Sequence, residues 1–209
     1  LGGNGRTQLR DMLLTRGQLA HIEGDFELAI THLRDMRAIA QRDGETPGMA
    51  VLLAMAQESQ VWADMGRLDE AASVAGAALE ALLSWPDAEM TAAQLPAFAA
   101  AAALALAERG LPEQALAKAA LVLGADRNVT DMNPQYLAAL RAARADSWMQ
   151  TGQIALAGRE LDLGEQALAA HGGETGSRIG TLVRARWLVA AGRGGEALPL
   201  WQRRRRARR

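Results

Sequence analysis

Cysteine is absent from the 209 residues. That excludes disulfides, thiolate metal sites and cysteine nucleophiles, and leaves the compartment open. Lysine occurs once, at Lys118, against 22 arginines. Proline is sparse at six, and aromatic residues make up only 4%. No stretch approaches 18 apolar residues without an interrupting charge, so no membrane span is expected. What is present is globular in balance, 49% hydrophobic and 22% charged, enough for one domain or two small ones. Alanine, the best helix former, supplies 45 residues and points to an all-α fold.

Charge is unevenly placed. The formal net is −1, yet six arginines (Arg203, Arg204, Arg205, Arg206, Arg208 and Arg209) crowd the last seven residues; without them the rest stands at −7. Such a tail could meet nucleic acid, an acidic protein or an anionic membrane surface, or be the solvated end of a last helix. A chain that opens on Leu1 is expected to be a fragment or a processed product.

One phrase recurs: a glycine, then polar residues, then alanine. It centres on Gly24, Gly66, Gly110, Gly152 and Gly192, which lie 42, 44, 42 and 40 residues apart. Five residues after each comes an alanine: Ala29, Ala71, Ala115, Ala157 and Ala197. Seven before lies a small residue: Gly17, Ser59, Ala103, Ala145 or Ala185. Four before come Ala20, Trp62, Leu106, Trp148 and Leu188. Small residues at fixed places let two helices approach closely, and large ones fill the gap. Trp62 and Trp148 are expected between the helices of their repeats. Glycine supplies the positive φ at which one helix stops and the next starts. The flanking segments show helical periodicity. Thr46-Pro47, Leu95-Pro96 and Asn133-Pro134 each read as Pro in a first helical turn. Gly2-Gly3-Asn4-Gly5 reads as a linker, and Gly164 is an oddity inside a helix. Ten helices are expected in five antiparallel pairs, at 7–43, 47–84, 91–123, 133–170 and 176–209, in one domain spanning 1–209.

This pattern resembles the tetratricopeptide repeat, in a long-period form like the helical-repeat regions of bacterial regulators. The resemblance covers almost the whole chain and implies a right-handed α-solenoid whose first helices line a concave groove. Read at 13, 10, 6 and 3 residues before each glycine, the groove stripe offers Gln18 and His21, then Leu53 and Gln60, then Leu104, then Asp146 and Met149, then Arg186. Gln57 and Asp64 stand beside it, and alanines (Ala97, Ala100, Ala107, Ala139, Ala142) form much of its floor. Clusters of Lys, Arg and Asn that clamp a chaperone tail's carboxylates are missing from its middle. A mostly apolar trough suits a partner helix or an extended peptide. The same residues would equally serve as packing between helices of a tight superhelix.

Catalysis is not expected. His21-Ile22-Glu23 matches half of a zinc-deaminase signature without its cysteines. The loop Gly172-Gly173-Glu174-Thr175-Gly176-Ser177 lacks the lysine and preceding strand of a phosphate loop. The carboxylates Asp69, Glu70, Glu113 and Glu196 sit at helix starts, where the helix dipole favours them. The expectation is a non-catalytic, cytoplasmic interaction module with no cofactor and no metal, binding a protein or peptide. Nucleic acid enters only through the Arg tail. The rival expectation is a ligand-sensing domain of a larger bacterial transcriptional regulator or kinase. Leu198, Leu200 and Trp201 would be the residues covered by a second copy, if there is one.

Overall fold

The structure is a computed structural model that describes residues 3–42, 48–124, 132–171 and 178–207. Among them are ten α-helices and no strand: α1 (Gly3–Glu23), α2 (Phe26–Arg42), α3 (Met49–Asp64), α4 (Leu68–Leu83), α5 (Ala88–Glu108), α6 (Pro112–Leu123), α7 (Pro134–Gln150), α8 (Ile154–Ala170), α9 (Arg178–Ala190) and α10 (Gly194–Ala207). Neighbouring helices pack in pairs, α1 with α2, α3 with α4, α7 with α8 and α9 with α10. The chain divides into two compact units, Leu1–Ala92 and Ala93–Arg209. Within the first, α2 also packs on α3. Within the second, α6 packs on α7, and α9 packs on both α7 and α8.

Each pair turns on its glycine in the same way. Gly24, Gly66, Gly110, Gly152 and Gly192 all take positive φ, between 75° and 84°. At the second, the Gly66 N–H donates to Ala63 O and the Arg67 N–H reaches back to Trp62 O. The other four repeat this double bond, from Gly24 and Asp25, Gly110 and Leu111, Gly152 and Gln153, and Gly192 and Arg193. This is the Schellman C-cap, which satisfies the last carbonyls of the first helix. The residue after the glycine then opens the second helix. Its carbonyl accepts from Ala29, Ala71, Ala115 or Ala157 in the first four repeats. The recurrent alanine is thus the first to bond within the second helix, and it is buried in all five.

The other fixed positions follow. Gly17, Ser59, Ala103, Ala145 and Ala185 are all buried. A methyl group on Gly17 would come within 2.9 Å of Leu33 Cγ. Trp62 is buried, while Trp148 and Trp187 lie half-buried against Ala142, Ala145, Ala157, Leu161 and Val183. Asn133 caps α7, its side chain accepting from Gln135 N at 2.9 Å.

Three local readings are corrected. Pro96 is not in a first turn but inside α5, which starts at Ala88. Asp87 caps that earlier start, accepting from Met90 N at 2.9 Å. An alanine-rich run on both sides sustains the helix, although residue 96 has no N–H to offer Ala92 O. Gly3 to Gly5 form the first turn of α1, not a linker. First-turn N–H groups have no intrahelical partner, so weak helix formers cost little there. Finally, Met90–Ala107 carries no charge, and α5 is long and apolar enough to cross a membrane (mean hydropathy 1.6), yet 61% of that stretch is buried inside the protein. That is the behaviour of a core helix. The Thr46-Pro47 start, the 172–177 loop, Arg208 and Arg209 lie outside the described residues.

Two glycines of α8 make opposite predictions. A methyl at Gly158 would lie 2.7 Å from Trp187 Cζ2, whereas one at Gly164 meets nothing nearer than 3.6 Å. Gly158→Ala is expected to cost about 1–3 kcal/mol through overpacking. Gly164→Ala is expected to add about 0.5–1 kcal/mol through helix propensity. Urea denaturation of the two variants checks the sign of each.

Candidate functional site

The stripe residues divide between the two units. In the first, Gln18, Leu53, Gln60 and Asp64 are exposed, and His21 and Gln57 are half-buried. Three of them meet. His21 Nε2 lies 2.8 Å from Asp64 Oδ2, and its Nδ1 lies 2.9 Å from Gln57 Nε2. The Phe26 ring tilts against the imidazole at 5.9 Å. Both ring nitrogens are therefore engaged, and His21 ties α1 to α3. In the second unit, Leu104 and Met149 are half-buried, Asp146 is buried and Arg186 is exposed. Asp146 pairs with Arg186 at 3.3 Å and accepts from Gln150 Nε2 at 3.0 Å. Gln150 Nε2 also donates to Ala107 O at 2.7 Å.

His21 to Asp64 and Ala107 to Gln150 share one register: three before the glycine in one repeat, two before it in the next. The stripe's polar groups are largely spent on holding successive first helices together. Those left facing outward are Gln18 and Gln60, beside the apolar Leu53, while Arg186, though exposed, is tied to Asp146. Met149 packs against the core cluster of its unit, so only part of it is open. Gln150 was not among the expected residues, and its spacing alone could have suggested it.

A second set of charges was missed altogether. Glu58 is buried to 1% exposure, and it accepts from Arg34 Nε at 3.2 Å, from Arg37 and from Trp62 Nε1 at 3.2 Å. The Arg34 guanidinium sits 5.3 Å from the Trp62 ring centre, and Arg67 stacks on that ring at 4.4 Å. An open crevice of about 380 Å³ lies beside Arg34, Arg37, Ala38, Glu58 and Val74. In the other unit the arrangement recurs with its signs reversed. Arg184 donates to Asp162 Oδ1 at 2.7 Å and to Glu165 Oε1 at 2.9 Å, and lies 5.2 Å from the Trp187 ring centre. Burial works against the Arg184 charge, but the Glu165 and Asp162 carboxylates outweigh it and raise its pKa.

The registers coincide. Glu58 and Arg184 each stand eight residues before their glycine. Their partners, Arg34 and Arg37 or Asp162 and Glu165, stand ten and thirteen after the previous one. These two junctions, between the first and second repeats and between the fourth and fifth, are ionic forks. Turn arginines add lesser pairs: Arg67 with Glu70 and Arg193 with Glu196 hold both exposed carboxyls below the usual glutamate range. Those pairs are fully present at neutral pH and are lost as pH falls through the lowered pKa.

No protein-family model matches the chain, and a search of curated proteins finds no match.

The forks differ in worth from the exposed pairs. Glu58→Ala removes a buried carboxylate and strands Trp62 Nε1, with an expected cost of about 3 kcal/mol. Arg34→Ala removes a side chain that is 60% exposed and is expected to cost under about 1 kcal/mol. Thermal denaturation of both variants checks the order.

Proposed function

We propose that this chain is a tetratricopeptide-like helical-repeat module, and that it binds a peptide or helix of a partner protein along the first helices of its repeats. It acts by presenting a surface, with no chemistry of its own. Five identical glycine turns at regular spacing support the repeat reading. One observation carries the binding reading. In the first unit the stripe's His21, Gln57 and Asp64 lock α1 to α3, while Gln18, Leu53 and Gln60 stay exposed. A rigid base with open apolar and amide groups suits an extended or helical segment that offers apolar anchors and backbone polar groups. Holding the surface rigid before binding lowers the entropy lost on association.

A photo-crosslinking side chain placed at Gln60 tests this, with a matching one at Glu80, exposed on α4. Crosslinking in cells is expected to give a discrete protein adduct from position 60 and none from 80. Leu53→Arg should then weaken binding of that purified protein by about tenfold or more, the size of one anchor contact. Adducts from position 80 alone, or none from either, contradict the reading.

A further inference from the structure

Two arginines meet one buried carboxylate at the junction of the first two repeats, where one would satisfy it. Both oxygens of Glu58 are engaged, Oε1 by Arg34 Nε and Trp62 Nε1 and Oε2 by Arg37 Nη1. A single guanidinium can fill both oxygens of a carboxylate. Here each arginine spends on Glu58 only one of its five N–H donors. Among the described residues, no further hydrogen bond holds either side chain. The cluster thus keeps one surplus positive charge and most of its donors. Packing does not demand charge at these places. Arg34 and Arg37 stand ten and thirteen residues after Gly24, and the same positions hold Gly76 and Leu79 in the second repeat and Ala120 and Leu123 in the third. The free donors border the crevice of about 380 Å³ between α2, α3 and α4, walled by Arg34, Arg37, Ala38, Glu58 and Val74. Small-molecule sites run from about 300 to 1,000 Å³.

We propose that this crevice binds a small organic acid through a single carboxylate. The open donors of Arg34 and Arg37 grip the carboxylate, and a short apolar group lies against Ala38 and Val74. Glu58 fixes both guanidinium groups before the ligand arrives, which lowers the ordering cost of binding. Charge sets the ligand's own charge at one. Two arginines against Glu58 leave one positive charge to neutralise, and a dianion such as phosphate exceeds it. The surroundings sharpen that limit, since residues 1–92 carry fourteen carboxylates against seven arginines. None of the five lining residues belongs to the stripe on the first helices, so this site and the proposed peptide surface can fail independently.

The probe is isobutyrate, titrated into the isotope-labelled full chain at constant ionic strength and followed by NMR at the arginine Nε–Hε signals. The Arg34 and Arg37 signals are expected to shift saturably, with a Kd of about 1 mM or tighter. Inorganic phosphate is expected to bind about tenfold more weakly, and the uncharged isobutyramide to leave both signals in place. Two variants separate a site from a merely structural cluster. Arg34→Gln removes one grip but leaves Glu58 with Arg37 and Trp62, and Ala38→Met fills the crevice while keeping both arginines. Each is expected to weaken isobutyrate about tenfold or more, with the helical content of the wild type by circular dichroism. If Ala38→Met loses helicity, Ala38→Val replaces it. An acetylated Gly-Gly-Val peptide with a free C-terminus is expected to bind no more tightly than isobutyrate; binding tenfold tighter overturns the assignment to a free acid. Shifts that do not saturate, phosphate binding as tight as isobutyrate, or undiminished isobutyrate binding in either variant overturns the proposal.

Discussion

Five glycines in the left-handed region set the geometry on which the rest depends. An α-helix cannot reverse within three residues unless one of them takes positive φ, and for most residues that conformation is strained. Here each glycine ends one helix with two back-bonds, and the next residue is already accepting the first bond of the following helix. Two helices leave so short a turn close together. Their near ends must then be small, and the buried alanine five residues on and the small residue seven before meet that demand. The alanine richness of the chain is a consequence of this spacing as much as of helix propensity.

Between repeats the demands differ, and so do the solutions. Trp187 lies against Gly158 at one junction, where no methyl group would fit. The ionic forks add direction. Glu58 lies between two arginines and Arg184 between two carboxylates, in the same register but with opposite sign. Exchanging one junction for the other would set like charges together. Burying such charges adds little net stability over apolar packing, but a mispaired junction leaves one stranded at a cost of several kcal/mol. The forks thus favour one order of repeats over its alternatives, a role for buried charge in specificity more than in strength.

Local rules made the turns legible in the sequence. Gly66, Ala71 and Ser59 each obey a constraint set by residues within one hairpin, and regular recurrence exposed it. Pro96 was misplaced because the rule that puts proline in first turns is a preference, and the Asp87 cap with its alanine run overrode it. Asp146 belonged to the expected stripe, but its burial depends on Arg186 and Gln150, brought in by another repeat and the next helical turn. Glu58 was invisible for the same reason. A glutamate on a helix normally faces water, and only the tertiary placement of Arg34, Arg37 and Trp62 makes its burial tolerable. Of the expected groove stripe, the tie between His21, Gln57 and Asp64 joins residues the sequence had set side by side. Which polar groups it leaves open emerged only in three dimensions.

The claim beneath all of this is that the five glycines are required for their backbone angle alone. At each of them an added methyl group would meet nothing within 4 Å, so crowding cannot explain a loss of stability. The most direct measurement is the unfolding free energy of five single variants, Gly24→Ala, Gly66→Ala, Gly110→Ala, Gly152→Ala and Gly192→Ala. The account predicts that each loses about 1 kcal/mol, left-handed strain exceeding the entropic gain from stiffening the unfolded chain. Variants as stable as the wild type, or more so, would contradict it.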